Sequence, residues 1–205
     1  MEKSIYLVLC LIFVLYFNTN AQFFDDSFYS KGFIVTDNND TINGYIESKD
    51  GYLGKIKYTL NENDKKKQKV DTKTVKYMKV GFDTFEKLNY EERSYLMKII
   101  VKGEISFYKN TEQRSTMSPG GMGAAPTMSY SESEVYYLVK NDKIIKIKKR
   151  KLQDLLKELM IDCQELYTEI DKLDTDYDML DFNLKNLIVK YNYKIKNKTA
   201  PNTRS

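Results

Sequence analysis

The spacing of apolar residues changes period once along this chain, near Lys151, and that change limits the folds open to it. Upstream, apolar and polar residues alternate. In Thr41 to Glu47, residues Ile42, Gly44 and Ile46 share one side, and Thr41, Asn43, Tyr45 and Glu47 the other. Tyr52 to Leu60 and Thr72 to Val80 alternate in the same way. Downstream, Leu152, Leu155, Leu156 and Leu159 recur at i, i+3, i+4 and i+7. A period of two is the signature of a strand with one buried face, and a period near 3.6 that of an amphipathic helix. Strands followed by helices predict an α+β domain whose helices cover one face or end of an antiparallel sheet.

The strands can be placed from their turns. Phe33 to Thr36 and Thr41 to Glu47 flank Asp37-Asn38-Asn39-Asp40, a hairpin pattern. Gly44 inside a strand predicts a bulge or a close backbone approach. Asn61 to Lys69 reads as a charged loop and Phe82 to Leu88 as a short strand. Tyr95 to Val101 and Glu104 to Tyr108 flank Lys102-Gly103, and Val135 to Lys140 and Lys143 to Lys148 flank Asn141-Asp142. The aromatic stretch from Gln22 to Ser30 reads as an edge strand or a docked arm. About eight or nine short strands at this spacing predict an antiparallel meander or an open barrel-like sheet over 22–150.

One connection stands apart. SPGGMGAAPTMS, Ser118 to Ser129, is small-residue-rich and uncharged, and it lies between Tyr108 and Val135. Connections longer than ~12–15 residues are usually functional or disordered. The composition predicts a flexible insert over 110–133 with no site in it. Two or three helices follow over 151–195. Cys163, Leu166, Ile170 and Leu173 continue the helical spacing after Asp162. Leu180, Leu184, Leu187, Ile188 and Tyr191 do so after Asp174 or Thr175. The polar end, 196–205, reads as a disordered tail.

The first 21 residues read as a secretory signal peptide: basic Lys3, an unbroken apolar run from Ile5 to Phe17, then Thr19 and Ala21 before a cut at Gln22. The run is too short for a membrane span, which takes about 20 apolar residues. Cys10 lies inside the run with no small residue before it, unlike a lipoprotein cysteine. Cys163 is then the one cysteine left, so the exported chain has no internal disulfide and depends on its core. Its apolar register predicts a buried thiol.

The most informative absence is histidine, of which the sequence has none. That removes Ser-His-Asp and Cys-His nucleophilic sites and the usual Cys/His zinc sites. No glycine-rich phosphate loop sits between a strand and a helix. Carboxylates remain. Asp174, Asp176 and Asp178 match the D-x-D-x-D opening of a calcium loop, but Met179 stands where the loop needs glycine and Lys185 where it needs a bidentate glutamate. The preferred reading is an acidic helix start, favoured by the helix dipole. No cofactor is implied. Met117, Met122 and Met128 are too loosely spaced for a copper(I) site and read as loop residues. Asp40-Thr41-Ile42 matches the short Asp-Thr-aliphatic sequon for O-glycosylation.

Lysine gathers at Lys65, Lys66, Lys67 and Lys69, and again along Lys143, Lys146, Lys148, Lys149, Arg150 and Lys151. With a net charge of +4, these runs read as solvated turns. Among anionic partners a glycolipid or polysaccharide ranks above nucleic acid, which an exported protein seldom meets. The 17 tyrosines and 10 phenylalanines, with no tryptophan, read mainly as core and cross-strand partners.

Several segments in order resemble a family of exported proteins of the Bacteroidota that has no known activity. These are Ala21-Gln22 closing the leader, GFIVTDNNDTINGYI at Gly32 to Ile46, VKYMKVG at Val75 to Gly81 and MKIIVKGEISFY at Met97 to Tyr108. YYLVKND at Tyr136 to Asp142, DCQEL at Asp162 to Leu166 and VKYN at Val189 to Asn192 follow. The resemblance implies export and a shared fold, and it assigns no functional residue. Taken together, the sequence reads as an exported, non-enzymatic protein of the cell envelope (periplasmic, outer-membrane-associated or secreted) with a structural or interaction role and no transmembrane span after the leader. A glycan- or protein-binding module using the sheet face, and a carboxylate-based hydrolase, are the alternatives.

Overall fold

In the computed structural model, residues 28–118, 127–174 and 177–199 are described. The proposed signal peptide, the segment 22–27, the tip of SPGGMGAAPTMS at 119–126 and the last residues 200–205 lie outside them.

The strand region forms one open antiparallel sheet of ten strands. In chain order they are β1 (Tyr29–Thr36), β2 (Thr41–Glu47), β3 (Lys55–Thr59), β4 (Gln68–Asp71) and β5 (Val75–Val80), then β6 (Asp83–Tyr90), β7 (Arg93–Val101), β8 (Ser106–Ser118), β9 (Thr127–Lys140) and β10 (Lys143–Lys146). The spatial order is β10-β9-β8-β7-β6-β5-β1-β2-β3-β4. The sheet is therefore two meanders sharing β1, because the chain crosses from edge strand β4 back to the far side of β1. A 3-10 turn, Thr72–Thr74, makes that crossing. Asp71 forms it: its Oδ1 accepts from the Lys73 N–H at 2.9 Å, and its carbonyl accepts from the Thr74 hydroxyl at 2.9 Å. The turn reaches β7 and closes the first meander against the sheet, and the Lys87 ammonium of β6 donates to the Lys73 carbonyl.

Strand register follows burial. One row of facing residues runs across seven strands: Ile42, Ile34, Met78, Phe85, Lys98, Lys109 and Tyr136. Residues directly opposite one another project to the same face, so the row marks one continuous side. At its β2 end lies a core of Ile34, Ile46, Ile56, Met78 and Phe85, sealed by Tyr52 from the β2–β3 connection. At its β9 end, Phe107, Tyr136 and Leu138 are covered by the helices. Between them the row passes through Lys98 and Lys109, which face each other. Like charges so placed repel. Here each is neutralised, Lys98 by Asp83 at 2.8 Å and Asp50 at 3.7 Å, Lys109 by Glu134.

Helix α1 (Leu152–Leu159) buries Leu152 and Leu156. A 3-10 turn, Gln164–Leu166, leads into the short α2 (Tyr167–Asp171), and α3 (Tyr177–Thr199) packs on β7 and β8. Leu180, Leu184, Leu187, Ile188 and Tyr191 are the buried side of α3, as their spacing predicts. Asn192 fastens the helix to the sheet. Its Oδ1 accepts from the Ile105 N–H and its Nδ2 donates to the Ile105 carbonyl, both at 2.8 Å. Cys163 is buried, its thiol donating to Glu165 Oε1 at 3.3 Å. No helix among the described residues is long and apolar enough to cross a membrane.

Three expectations change. The strand count is ten, because Gln68–Asp71, whose first two residues read as the end of a charged loop, pairs with β3. The helical region does not stop at 195: Lys196 to Thr199 continue α3, where Lys196 and Lys198 suit the negative end of the helix dipole and the Lys198 ammonium donates to the Asp162 carbonyl at 3.1 Å. The insert over 110–133 is not a loop for most of its length. β8 and β9 pair from Asn110↔Val135 out to Ser118↔Thr127. Backbone hydrogen bonding carries the hairpin where no apolar alternation announces it.

Candidate functional site

The β8–β9 hairpin is the structural axis of the second meander, and its root is held by tyrosines of one kind. Each buried phenol donates to a carboxylate, and a lysine closes the set. The Tyr108 hydroxyl donates to Glu86, and Lys102 contacts both, its ammonium 5.1 Å from the Tyr108 ring centroid. Tyr137 donates to Glu112 Oε1 at 3.0 Å, and Lys146 donates to the same oxygen at 2.8 Å. Tyr136 donates to Glu134 Oε2 at 2.6 Å, and Glu134 pairs with Lys109. Tyr191 of α3 donates to Asp162 at 3.0 Å and accepts from Lys140 of β9 at 2.7 Å.

Facing strands position these sets. Tyr108 and Tyr137 are register partners, on the face opposite the helices, while Tyr136 lies on the helix face. The tip of the β6–β7 hairpin folds over the former face, where Tyr90 meets Tyr137 edge to face at 5.3 Å between centroids. With Met97, Val135 and Tyr95 they form a third small core.

The electrostatics follow from that burial. Desolvation, then the neighbouring carboxylate, pushes the Tyr108 and Tyr136 phenols above their ordinary range; Tyr137 and Tyr191 move the same way. Burial also works to raise Glu112 and Glu134, but hydrogen bonds from Lys146 and Tyr137, and from Lys109 and Tyr136, outweigh it and hold both carboxyls below the usual carboxylate range. The phenols therefore stay neutral donors near neutral pH, and these two carboxylates stay ionised. A catalytic general acid needs the reverse, a carboxyl raised toward the working pH. Asp181 on α3 adds a second carboxylate beside Tyr136, but neither it nor Glu134 lines the clefts described next.

Beyond the root, β8 parts from β7. The last pair between them is Lys98↔Lys109, and β10 reaches β9 only over Tyr137 to Lys140. From Asn110 and Val135 outward the hairpin is a two-stranded ribbon with no strand paired to either edge among the described residues. Gln113 to Thr116 and Met128 to Glu132 are exposed, Tyr130 at 64%. A cleft of about 500 Å³ lies between the base of the ribbon and the β2–β3 connection, lined by Lys49, Asp50, Tyr52, Thr111, Gln113 and Glu132. A second, of about 430 Å³, lies between β10 and α1, where Lys143, Lys148 and Lys151 surround Ile144, Ile145 and Leu155.

The residues singled out in the sequence fall elsewhere. Asp174 is exposed between α2 and α3; Asp176 and the side chain of Asp178 lie outside the described residues, and no cluster of metal-ligating side chains occurs among those that are described. Met128 is exposed on the ribbon, while Met122 and the side chain of Met117 are outside the description. Asp40 and Thr41 are exposed at the β1–β2 turn. Sequence reasoning missed most of the tyrosine sets because their members are far apart, Tyr108 and Glu86 by 22 positions, Tyr137 and Glu112 by 25; Glu134 stands close to Tyr136 in sequence, and there only the lysine, Lys109, is distant. The ribbon left a fainter trace, the long Ser/Thr run on both sides of the glycine-rich tip. No protein-family model, no curated protein and no solved structure matches this chain.

Proposed function

We propose that this is an exported, non-catalytic interaction protein of the cell envelope that engages a partner through the β8–β9 ribbon. One observation carries the reading: a rooted hairpin continues well past the body of the sheet with both edges unpaired. An isolated two-stranded hairpin is marginal in water, and its exposed outer residues bury nothing that would stabilise the fold. The root is built to hold it in place, with three of the four tyrosines on β8 or β9 and the fourth, Tyr191, bound by Lys140 of β9. Held low by lysine, Glu112 and Glu134 are suited to fixing geometry rather than to transferring protons. Export is supported by the Ile5–Phe17 apolar run followed by Thr19 and Ala21.

Photo-crosslinking in cells tests the reading. A photoreactive residue replacing Tyr130 on the ribbon should give a discrete adduct, and the same residue at exposed Tyr193 on α3 should not. No adduct from Tyr130, or equal adducts from both, would overturn it. A protein shortened by joining Gln113 to Glu132 through an Asn-Gly turn should lose the interaction while its stability changes by less than about 1 kcal/mol, since Arg114 to Thr116 and Met128 to Ser131 are exposed.

A further inference from the structure

The two outer edges of the ten-stranded sheet are guarded. The two outermost strands, β4 and β10, are four residues long and carry lysine, Lys69 on one and Lys143 and Lys146 on the other. Short edge strands and edge lysines are the usual means of preventing strand addition. β8 beyond Thr111 is different. Asn110 and Thr111 are buried, Thr111 against Gly51, but Glu112-Gln113-Arg114-Ser115-Thr116 has no lysine, no proline and no bulge against β9, and its outer backbone groups face no strand among the described residues. A free edge of this kind selects an added strand through main-chain hydrogen bonds, and the side chains choose which one.

The side chains of β8 match β8 itself. An antiparallel pairing of two copies centred on Gln113 sets Glu112 opposite Arg114 of the second copy, and Arg114 opposite its Glu112. Facing residues in such a pairing share a face, and Glu112 and Arg114, two apart, lie on the same face of β8. Both groups have capacity left. The two hydrogen bonds that Glu112 accepts, from Tyr137 and Lys146, end on Oε1, and Arg114 is exposed with no ion pair among the described residues. The outer edge of β9 lacks this self-complementarity: centring on Ser131 sets Tyr130 against Glu132 and Met128 against Glu134.

We infer that the partner of the ribbon is a second copy of this chain, joined edge to edge through β8 in an antiparallel two-fold pairing centred on Gln113. The inference rests on the ribbon being the binding element and names what it binds. The joined ribbons form a four-stranded sheet whose centre is two reciprocal Glu–Arg pairs, an isologous contact of the kind that closes a dimer.

Sedimentation of the purified protein across a concentration series should show a two-copy species. Arg114→Glu places like charges opposite at both sites and should weaken the dimer by at least about tenfold. The exchange Glu112→Arg with Arg114→Glu should restore it. Glu112 also serves Tyr137 and Lys146, so a second measurement does not depend on it. Gln113→Cys puts the sole accessible thiol of the folded domain on the two-fold axis, since Cys163 is buried; mild oxidation should link two copies, and Ser129→Cys on β9 should not. A single-copy mass at every concentration, or linkage no faster at position 113 than at 129, overturns the inference. If the protein is monomeric but Tyr130 still crosslinks to a different protein, the binding role of the ribbon stands and the self-pairing falls.

Discussion

At the scale of single residues, the fold relies on polar side chains that do backbone work. Asn192 is the clearest case. Its amide pairs with both the N–H and the carbonyl of Ile105, a residue fully buried at the end of the β7–β8 connection. Gly103 gives it room: a Cβ there would lie 2.3 Å from the Asn192 Nδ2. The amide cannot swing aside without breaking two hydrogen bonds, so the contact is rigid. Asn192→Ala should cost about 2–4 kcal/mol, because two buried backbone groups lose their partners. Gly103→Ala should cost a similar amount in the native background and much less once Asn192 is alanine. Urea unfolding of the four proteins of this double-mutant cycle reads the coupling. Additive losses would mean that Gly103 is needed for its own backbone and not for Asn192.

At the scale of elements, turns and strands differ in how plainly the sequence writes them. Asn141-Asp142 adopts positive φ at both positions, 50° and 61°, as its residues suggest for a two-residue hairpin. Glu91-Glu92 does the same at 48° and 62° with no such residue. Left-handed geometry costs ordinary residues roughly 1–2 kcal/mol each, so Glu91→Asn with Glu92→Gly should stabilise the β6–β7 hairpin by about 1 kcal/mol after the added chain entropy of glycine. A melting temperature that falls instead would show that the glutamates hold the tip through contacts of their own. The alternating strands β2 and β5 and the leucine face of α1 were legible because one side of each carries the apolar residues that pack into a core. β8 and β9 beyond the root were not, because neither side of the ribbon is buried and no alternation is imposed. Lys196 to Thr199 were missed for a related reason: the apolar period ends at Ile195, while the helix continues on polar and charged residues, Lys198 among them donating to the Asp162 carbonyl. The place of β1, between β5 and β2, is a long-range pairing with no local mark. Of the candidate site, the sequence showed the tyrosines and the Ser/Thr run but not the partners that root them.

At the scale of the whole molecule, buried tyrosines hold the packing layers together. Tyr52 seals the core of the first meander, with its ring edge-on to Phe85 and its hydroxyl donating to the Glu47 carbonyl. Tyr136 and Tyr191 tie the helices to β9, and Tyr108 and Tyr137 hold the opposite face. Each packing layer therefore contains a buried phenol, and burial raises the proton affinity of all five. The consequence for stability has a definite sign. A group whose folded pKa is raised stabilises the fold fully below its unfolded value, and that contribution is lost as pH climbs toward the folded value. For tyrosine the unfolded value is about 10, so the loss begins there and the unfolded chain releases protons that the folded one keeps. Alkaline titration should be biphasic. The first phase leaves the near-ultraviolet dichroism unchanged. The buried set then ionises in one step together with loss of that signal, because no layer can give up its tyrosine alone. Phenolate absorbance and dichroism followed on one sample decide it. A single gradual titration that leaves the dichroism intact would mean the hydroxyls reach solvent without opening the cores, and that tyrosine burial is not what couples the two meanders to the helices.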